Sequence, residues 1–244
     1  MEYQIFIFRR DLRIEDNTTL NYLHNFPQPI IPLFIFNPQQ ILPKKNPYFS
    51  NNAVQFMCQS IQDLSQNISN HKGNLIILYD DILKILEYLT KKYKIVRLGL
   101  NEDYTPFSRK RDTIISNFCH QNNIEFTSKE DITLLPIGSI KTENDTIYKK
   151  FTPFYHKCLL KKIQTPKILL KYNFAGLYER GVDLGQFYGL NVNLLHNGGR
   201  IAALKQLKRV PLDYGETRNI PSIGTTEMSC LLYTSPSPRD QRGS

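Results

Sequence analysis

Short apolar runs rich in β-branched and aromatic residues recur along the first half of the chain, at residues 3–8, 30–36, 75–79, 95–100 and, more weakly, 124–127. Stretches of helical spacing lie between them. Val54, Met57, Cys58, Ile61, Leu64 and Ile68 recur at intervals of three and four and define one helical face; Ile82, Leu83, Ile85, Leu86 and Leu89 define another. Strands that are apolar on both sides, alternating with helices, imply a parallel sheet covered on both faces. The pattern therefore predicts a doubly wound α/β domain with a parallel five-stranded sheet over residues 1–130.

Beyond about residue 128 the pattern turns to loop, with Lys157, Lys161, Lys162, Lys167 and Lys171 scattered through it, so residues 131–197 read as an interdomain linker. Helical spacing resumes at Ile201, Ala202, Leu204 and Leu207, directly after Gly198-Gly199-Arg200, and marks the start of an all-α domain over residues 198–229. The last stretch, 230–244, has neither periodicity nor an apolar face. It reads as a translated sequencing adapter or a disordered tail and is set aside from fold reasoning.

In doubly wound sheets ligands bind outside the carboxyl ends of the strands. Three polar loops qualify: residues 9–17, 37–40 and 101–106. No GxGxxG follows a strand and no GxxxxGK[ST] occurs, which excludes the usual dinucleotide cradle and the P-loop. The first loop holds three arginines and three acids within the ten residues 8–17. At that density most of them pair with one another and hold the loop, with Asp16 or Asn17 capping the next helix. An arginine left unpaired there would face an anionic or planar ligand.

Composition narrows this little further. With 41% hydrophobic and 22% charged residues in 244, the chain can bury a sizeable core. No apolar run approaches the roughly 18 residues of a membrane span. The start, Met1-Glu2-Tyr3, has no basic segment ahead of an apolar one, so an intracellular protein is expected, cytoplasmic if prokaryotic, with no membrane association. Cys58, Cys119, Cys158 and Cys230 form no CxxC pair, and His24, His71, His120, His156 and His196 show no ligand spacing, so no metal site is predicted. The net charge of +9 suits a polyanionic partner or simply a lysine-rich solvated surface.

Five motifs, in order, resemble the DNA photolyase and cryptochrome family. They are Phe8-Arg9-Arg10-Asp11-Leu12-Arg13 with Asp16-Asn17; Asn101-Glu102-Asp103-Tyr104-Thr105-Pro106-Phe107 with Arg109, Arg111 and Asp112; the Phe151-Thr152-Pro153-Phe154 segment; Gly198-Gly199-Arg200; and Tyr214 with Arg218-Asn219, Pro221 and residues 224–229. The resemblance implies an amino-terminal antenna domain followed by the beginning of a helical FAD-binding domain. On its terms Tyr214, Thr225, Thr226, Met228 and Ser229 take the places of FAD contacts. Thr225, Thr226 and Ser229 follow a glycine at a helix start, where exposed N–H groups favour a pyrophosphate; an ordinary Ser/Thr helix cap is the other reading. Asn101, Glu102 and Tyr104 are candidates for an antenna pigment, a folate or a deazaflavin, with helix capping and loop packing as their alternative.

The activity so implied is a monomeric deoxyribodipyrimidine photolyase, a carbon–carbon lyase. Excited reduced FAD would donate an electron to a pyrimidine dimer flipped out of UV-damaged DNA. A cryptochrome-type receptor and a stand-alone pigment-binding module are the alternatives. The match stops at Ser229 and the chain has no Trp, so a truncated product is expected, without repair activity and unable to hold FAD.

Overall fold

A computed structural model describes residues 1–210, 212–217, 219, 220, 222 and 223. Thr225, Thr226, Met228, Ser229 and the segment 230–244 lie outside the described residues. The sheet has five parallel strands, β1 (Glu2–Phe8), β2 (Ile30–Phe36), β3 (Ile76–Tyr79), β4 (Lys94–Asn101) and β5 (Glu125–Lys129), in the order β3-β2-β1-β4-β5. The alternation of side chains along β1 explains its central place. Phe6 and Phe8 join Phe34 and Phe36 on one face, while Ile5 and Ile7 join Ile31 and Leu33 on the other, all buried.

Helices cover each face as the apolar spacing predicts. α1 (Thr18–Leu23) and α3 (Asn51–Asn70) pack on the phenylalanine face; a single short turn, α2 (Pro38–Ile41), follows β2. α4 (Ile82–Lys92) and α5 (Pro106–Gln121) cover the isoleucine face. The chain winds outward from β1 through β2 to β3, then returns to place β4 on the other side of β1. This makes the carboxyl ends of β1 and β4 the topological switch point.

A buried polar node closes that point. The Asn101 amide, at the end of β4, donates to Asp11 Oδ2 at 2.5 Å and Asn17 Oδ1 at 2.9 Å, and its oxygen accepts from Thr19 N at 3.0 Å. Asp11 also accepts from the Arg9 N–H at 2.9 Å and from Asn17 Nδ2 at 3.3 Å. Of the two predicted caps, Asn17 serves: its side chain accepts from Leu20 N at 3.2 Å. Asp16 instead adopts a positive φ of 50° and accepts from Lys167 N at 2.9 Å. Burial raises the Asp11 carboxyl above the ordinary carboxylate range, against the lowering pull of its Arg9 N–H and Asn101 hydrogen bonds.

The stretch after β5 is more than a spacer. It forms α6 (Phe151–Leu159), whose residues are almost all exposed, and then returns to the sheet as a strap. Ile30 and residues 173–175 form a parallel bridge, with Ile30 N to Asn173 O at 2.9 Å and Ala175 N to Ile30 O at 2.7 Å. Tyr172, Phe174 and Leu184 enter the phenylalanine-face core. Phe187, in a 3-10 turn (Leu184–Phe187), stacks on Phe36 with ring centroids 4.5 Å apart. Glu179 is buried against Lys92, Tyr88 and Tyr93.

The strap then runs beside α3 to α7 (Arg200–Leu207) and a last turn, α8 (Tyr214–Thr217). Gly198 N donates to Gln59 at 2.8 Å, Gly199 N to Ser60 Oγ at 3.0 Å and Arg200 N to Asp63 at 2.9 Å. The two glycines are required here. A Cβ on Gly198 would lie 2.0 Å from the Phe56 carbonyl, and Gly199 has φ 104°. α7 forms where the spacing places it, but Ile201, Leu204 and Leu207 face outward, each more than 40% exposed.

Two outcomes follow from these contacts. Asn101→Ala strips partners from Asp11, Asn17 and the Thr19 N–H and should lower stability by about 2–3 kcal/mol, measured as a shift of the urea unfolding midpoint. The second concerns His24, which lies edge-on to Tyr172 and Phe174 and is held at about 4 rather than 6.5 by burial and by nearby His71. As pH falls below 6.5 the unfolded chain takes up this proton while the folded chain does not until about 4. Stability is thus full above 6.5 and declines across that window. His24→Phe should flatten this part of the stability–pH curve; an unchanged slope between pH 7 and pH 5 would show that the loss arises elsewhere.

Candidate functional site

The carboxyl ends of β1 and β2 open into a cavity of about 500 Å³. Its inner walls are apolar. Phe8, Phe34 and Phe36 come from the strand ends, Val54 and Met57 from α3, and Ile82 from α4. Each lies there because its element must end at the sheet edge with its apolar face still turned inward. The outer wall is polar and comes from Arg9, Arg10 and the loop leading into α5.

That loop is set by capping. Thr105 is the N-cap of α5, its Oγ1 accepting from Ser108 N at 3.2 Å, with Pro106 at the first helical position. The Ser108 hydroxyl donates to Asp103 Oδ2 at 2.8 Å, and Thr105 N donates to Asp103 Oδ1 at 3.3 Å. Burial opposes ionisation of Asp103, but the Ser108 hydroxyl, the Thr105 N–H and the Arg10 and Arg9 charges outweigh it and hold the carboxyl below its ordinary value. Phe107, Ser108 and Arg111, spaced at one and three residues, present one side of α5 to the cavity.

The arginines divide by role. Arg9 pairs with Asp112 at 2.5 Å and also donates to the Asn101 carbonyl, so it ties β1 to β4 and α5. Arg13 pairs with Asp131 at 2.8 Å. Arg10 is exposed at the rim, with Asp103 at 3.5 Å. Arg111 is different. Its Nε lies 3.4 Å from Asp112, a carboxylate already held by Arg9, and its Nη2 is buried without a hydrogen-bond partner among the described residues. Burial, and then the neighbouring Arg9 charge, press the Arg111 pKa below its ordinary value. A guanidinium N–H that has lost water and gained no acceptor costs free energy until an anion or polar group meets it.

The structure brings the loop after β4 to the cavity but turns its first residues away. Asn101 is buried in the switch-point node with its amide fully engaged. Glu102 is fastened to β5, its N–H on the Lys129 carbonyl at 2.9 Å and its carboxylate on Ser128 at 3.4 Å. Tyr104 directs its hydroxyl inward, and burial first, then the Glu130 charge, raise it above the ordinary phenol value. The wall is instead built by Asp103, Thr105, Phe107, Ser108 and Arg111. The signal for Arg111 was its spacing of four from Phe107, which puts both on one face of a helix that Thr105 and Pro106 begin. Tyr214 is half-buried on α8, away from the cavity wall.

A second hollow, of about 550 Å³, lies between residues 133–140 and α6 and is almost wholly apolar, with Leu134, Ile137, Phe154 and Leu159 in its walls. Among the described residues no group of three or more His, Cys, Asp or Glu is placed to hold a metal ion, and no helix is long and apolar enough to cross a membrane.

Comparison with known proteins places this geometry. The DNA photolyase family model matches residues 4–168. A deoxyribodipyrimidine photo-lyase of Buchnera aphidicola subsp. Baizongia pistaciae is 31% identical over 65% of this chain and 34% of its own length. The corresponding protein of Buchnera aphidicola subsp. Acyrthosiphon pisum is 28% identical over 93% of this chain and 50% of its own. Cryptochromes are also among the relatives. The crystal structure of an archaeal photolyase from Sulfolobus tokodaii, described with two FAD molecules, superposes with a TM-score of 0.76 at 34% identity, over 88% of this chain and 48% of that one. The chain thus spans a third to a half of the length of these relatives. Matched over well more than half of its residues, with a five-stranded parallel sheet in the order of a doubly wound fold and a cavity at the carboxyl ends of β1 and β2, the chain belongs to the DNA photolyase family.

Proposed function

We propose that this chain is the light-gathering half of a blue-light photolyase: an antenna domain over residues 1–130, a connecting segment over 131–197 and the first part of an FAD-binding helical domain from 198 to 229. The observation that carries this reading is the cavity at the carboxyl ends of β1 and β2. Its apolar floor suits a flat ring system, and its volume lies in the range of small-molecule sites. The fit test is the donor set of the outer wall, where Arg10 and Arg111 supply cations that the polar or anionic edge of a pigment would meet.

Under this reading Phe36 and Met57 form the bed of the pigment and Arg10 and Arg111 its polar rim, while Asn101 acts by holding the loop that carries Glu102 and Tyr104. Tyr214 begins the FAD segment, continued by Thr225, Thr226, Met228 and Ser229. FAD, when bound, supplies the photochemical electron that splits a pyrimidine dimer in UV-damaged DNA; the protein's own share is orientation, exclusion of water and access. The fold gives the antenna side of that arrangement its rigidity, since both walls of the cavity belong to sheet ends and capped helices.

The test is a repair assay on the full-length gene product. Blue light should restore UV-damaged DNA, with loss of pyrimidine dimers read by antibody or chromatography, and the 244-residue chain alone should not do so. Flavin binding with no light-dependent repair of any pyrimidine photoproduct would replace this reading with the cryptochrome one. In the 244-residue chain, Met57→Trp, which drives a larger ring into the cavity, should lower occupancy by an added flavin at least tenfold, read by fluorescence titration.

A further inference from the structure

We infer that α6 and the chain around it form a binding surface for single-stranded DNA, on which lysines meet phosphates and exposed rings stack on unpaired bases. The inference goes beyond the antenna reading and rests neither on the cavity nor on a pigment.

The positive charge of the chain is concentrated in one place. Residues 146–178 hold seven lysines, no arginine and no acid, while outside them 24 basic residues face 22 acidic ones. All seven lysines are exposed, and none has an ion-pair partner among the described residues. Five of them, Lys149, Lys150, Lys157, Lys161 and Lys162, surround α6. Of the acids just before the run, Asp131 is paired with Arg13 and Asp145 with Lys141, each at 2.8 Å. A surface so poor in carboxylates attracts a polyanion, and the counterions that the polyanion releases drive the binding.

The exposed rings choose among polyanions. Phe151 and Tyr155, one turn apart on α6, stack with ring centroids 5.8 Å apart and planes 18° from parallel. They are 74% and 46% exposed. Phe154, beside them, stands in the wall of the apolar hollow between α6 and residues 133–140. Every nucleobase has a flat π-face, and stacking it here covers apolar area that the fold leaves in water. A duplex keeps its bases stacked on one another and offers only phosphates. An anionic lipid surface brings charge without flat rings. The side chains also define what goes unread. Lysine is a point charge without the planar fork of arginine, so it holds phosphates without distinguishing base edges. No carboxylate stands in the segment to accept from a 2′-hydroxyl, and RNA gains nothing there over DNA.

The experiment titrates a labelled oligo-dT of about 20 nucleotides with the 244-residue chain in the dark, following fluorescence anisotropy. The oligo-dT should bind at least tenfold more tightly than a duplex of equal length, and no more weakly than oligo-rU. With four lysines each meeting a phosphate, affinity should fall about fiftyfold between about 50 and 200 mM salt. Phe151→Ala should weaken oligo-dT binding at least fivefold and leave duplex binding unchanged. Lys150→Gln, Lys157→Gln and Lys161→Gln together should weaken both and flatten the salt dependence. Failure of oligo-dT to bind, a duplex bound as tightly as the single strand, or a preference for oligo-rU would each overturn the inference. Binding of phosphatidylserine vesicles or of polyglutamate without binding of oligo-dT would overturn it too, since the surface would then serve a membrane or an acidic protein. If circular dichroism shows Phe151→Ala to be unfolded, the preference of the unaltered chain for single strand over duplex decides the matter. The oligo-dT carries no pyrimidine dimer, so either result leaves the repair assay on the full-length product as a separate test.

Discussion

The side-chain amide of Asn101 is the constraint on which this domain turns. A doubly wound sheet must reverse direction at one place, and there the helices on either side of the gap leave strand ends uncovered. In this chain the gap is filled by a hydrogen-bonded knot of Asp11, Asn17, Thr19 and Asn101, each member supplying what another lacks. A carboxylate so buried is tolerable only while its acceptors are all met. The knot in turn fixes where the chain leaves β1 and β4, and thereby where Arg9 and Arg10 on one side and α5 on the other come to stand.

Much of this was legible in the order of residues. The five strands lie within two residues of the apolar runs, because a strand buried on both faces leaves no ambiguity with an amphipathic helix. The α3 face from Val54 to Ile68 is the face that packs, for the same reason of period. Asn17 could be read as a cap because its neighbours begin a helix. Other features had no local signal. The Arg9–Asp112 pair joins residues 103 positions apart, and charge density in the first loop could show only that pairing would occur, not with which partner. The strap has no periodic signature, because Tyr172, Phe174, Leu184 and Phe187 enter the core singly from irregular backbone. Asn101, Glu102 and Tyr104 stand in the loop whose later residues line the cavity. A polar residue just past a strand, however, is as readily turned into the fold as out toward a ligand, and only the α5 register decides which residues reach the cavity.

The distribution of charge sharpens what the net value of +9 could not say. Lys149, Lys150, Lys157, Lys161 and Lys162 are exposed around α6, together with Phe151 and Leu159, while Arg9 and Arg111 stand in the cavity wall largely out of solvent. The first group is screened by salt and contributes little to the fold. The second is shielded from solvent and acts at short range. Equal charges in the sum thus differ in kind by where the chain puts them.

The helix α3 has a double attachment whose consequence is metrical. Val54 and Met57 reach into the cavity, and within the next two turns Gln59, Ser60 and Asp63 clamp the backbone of residues 198–200. A helix advances about 1.5 Å per residue, so the bed of the cavity and the clamp are set about 9 Å apart along one stiff axis. Arg200 adds a pairing with Glu15, from the loop between β1 and α1. The lining of the cavity and the start of α7 are consequently held on a common ruler. Their separation is a property of one helix rather than of a hinge.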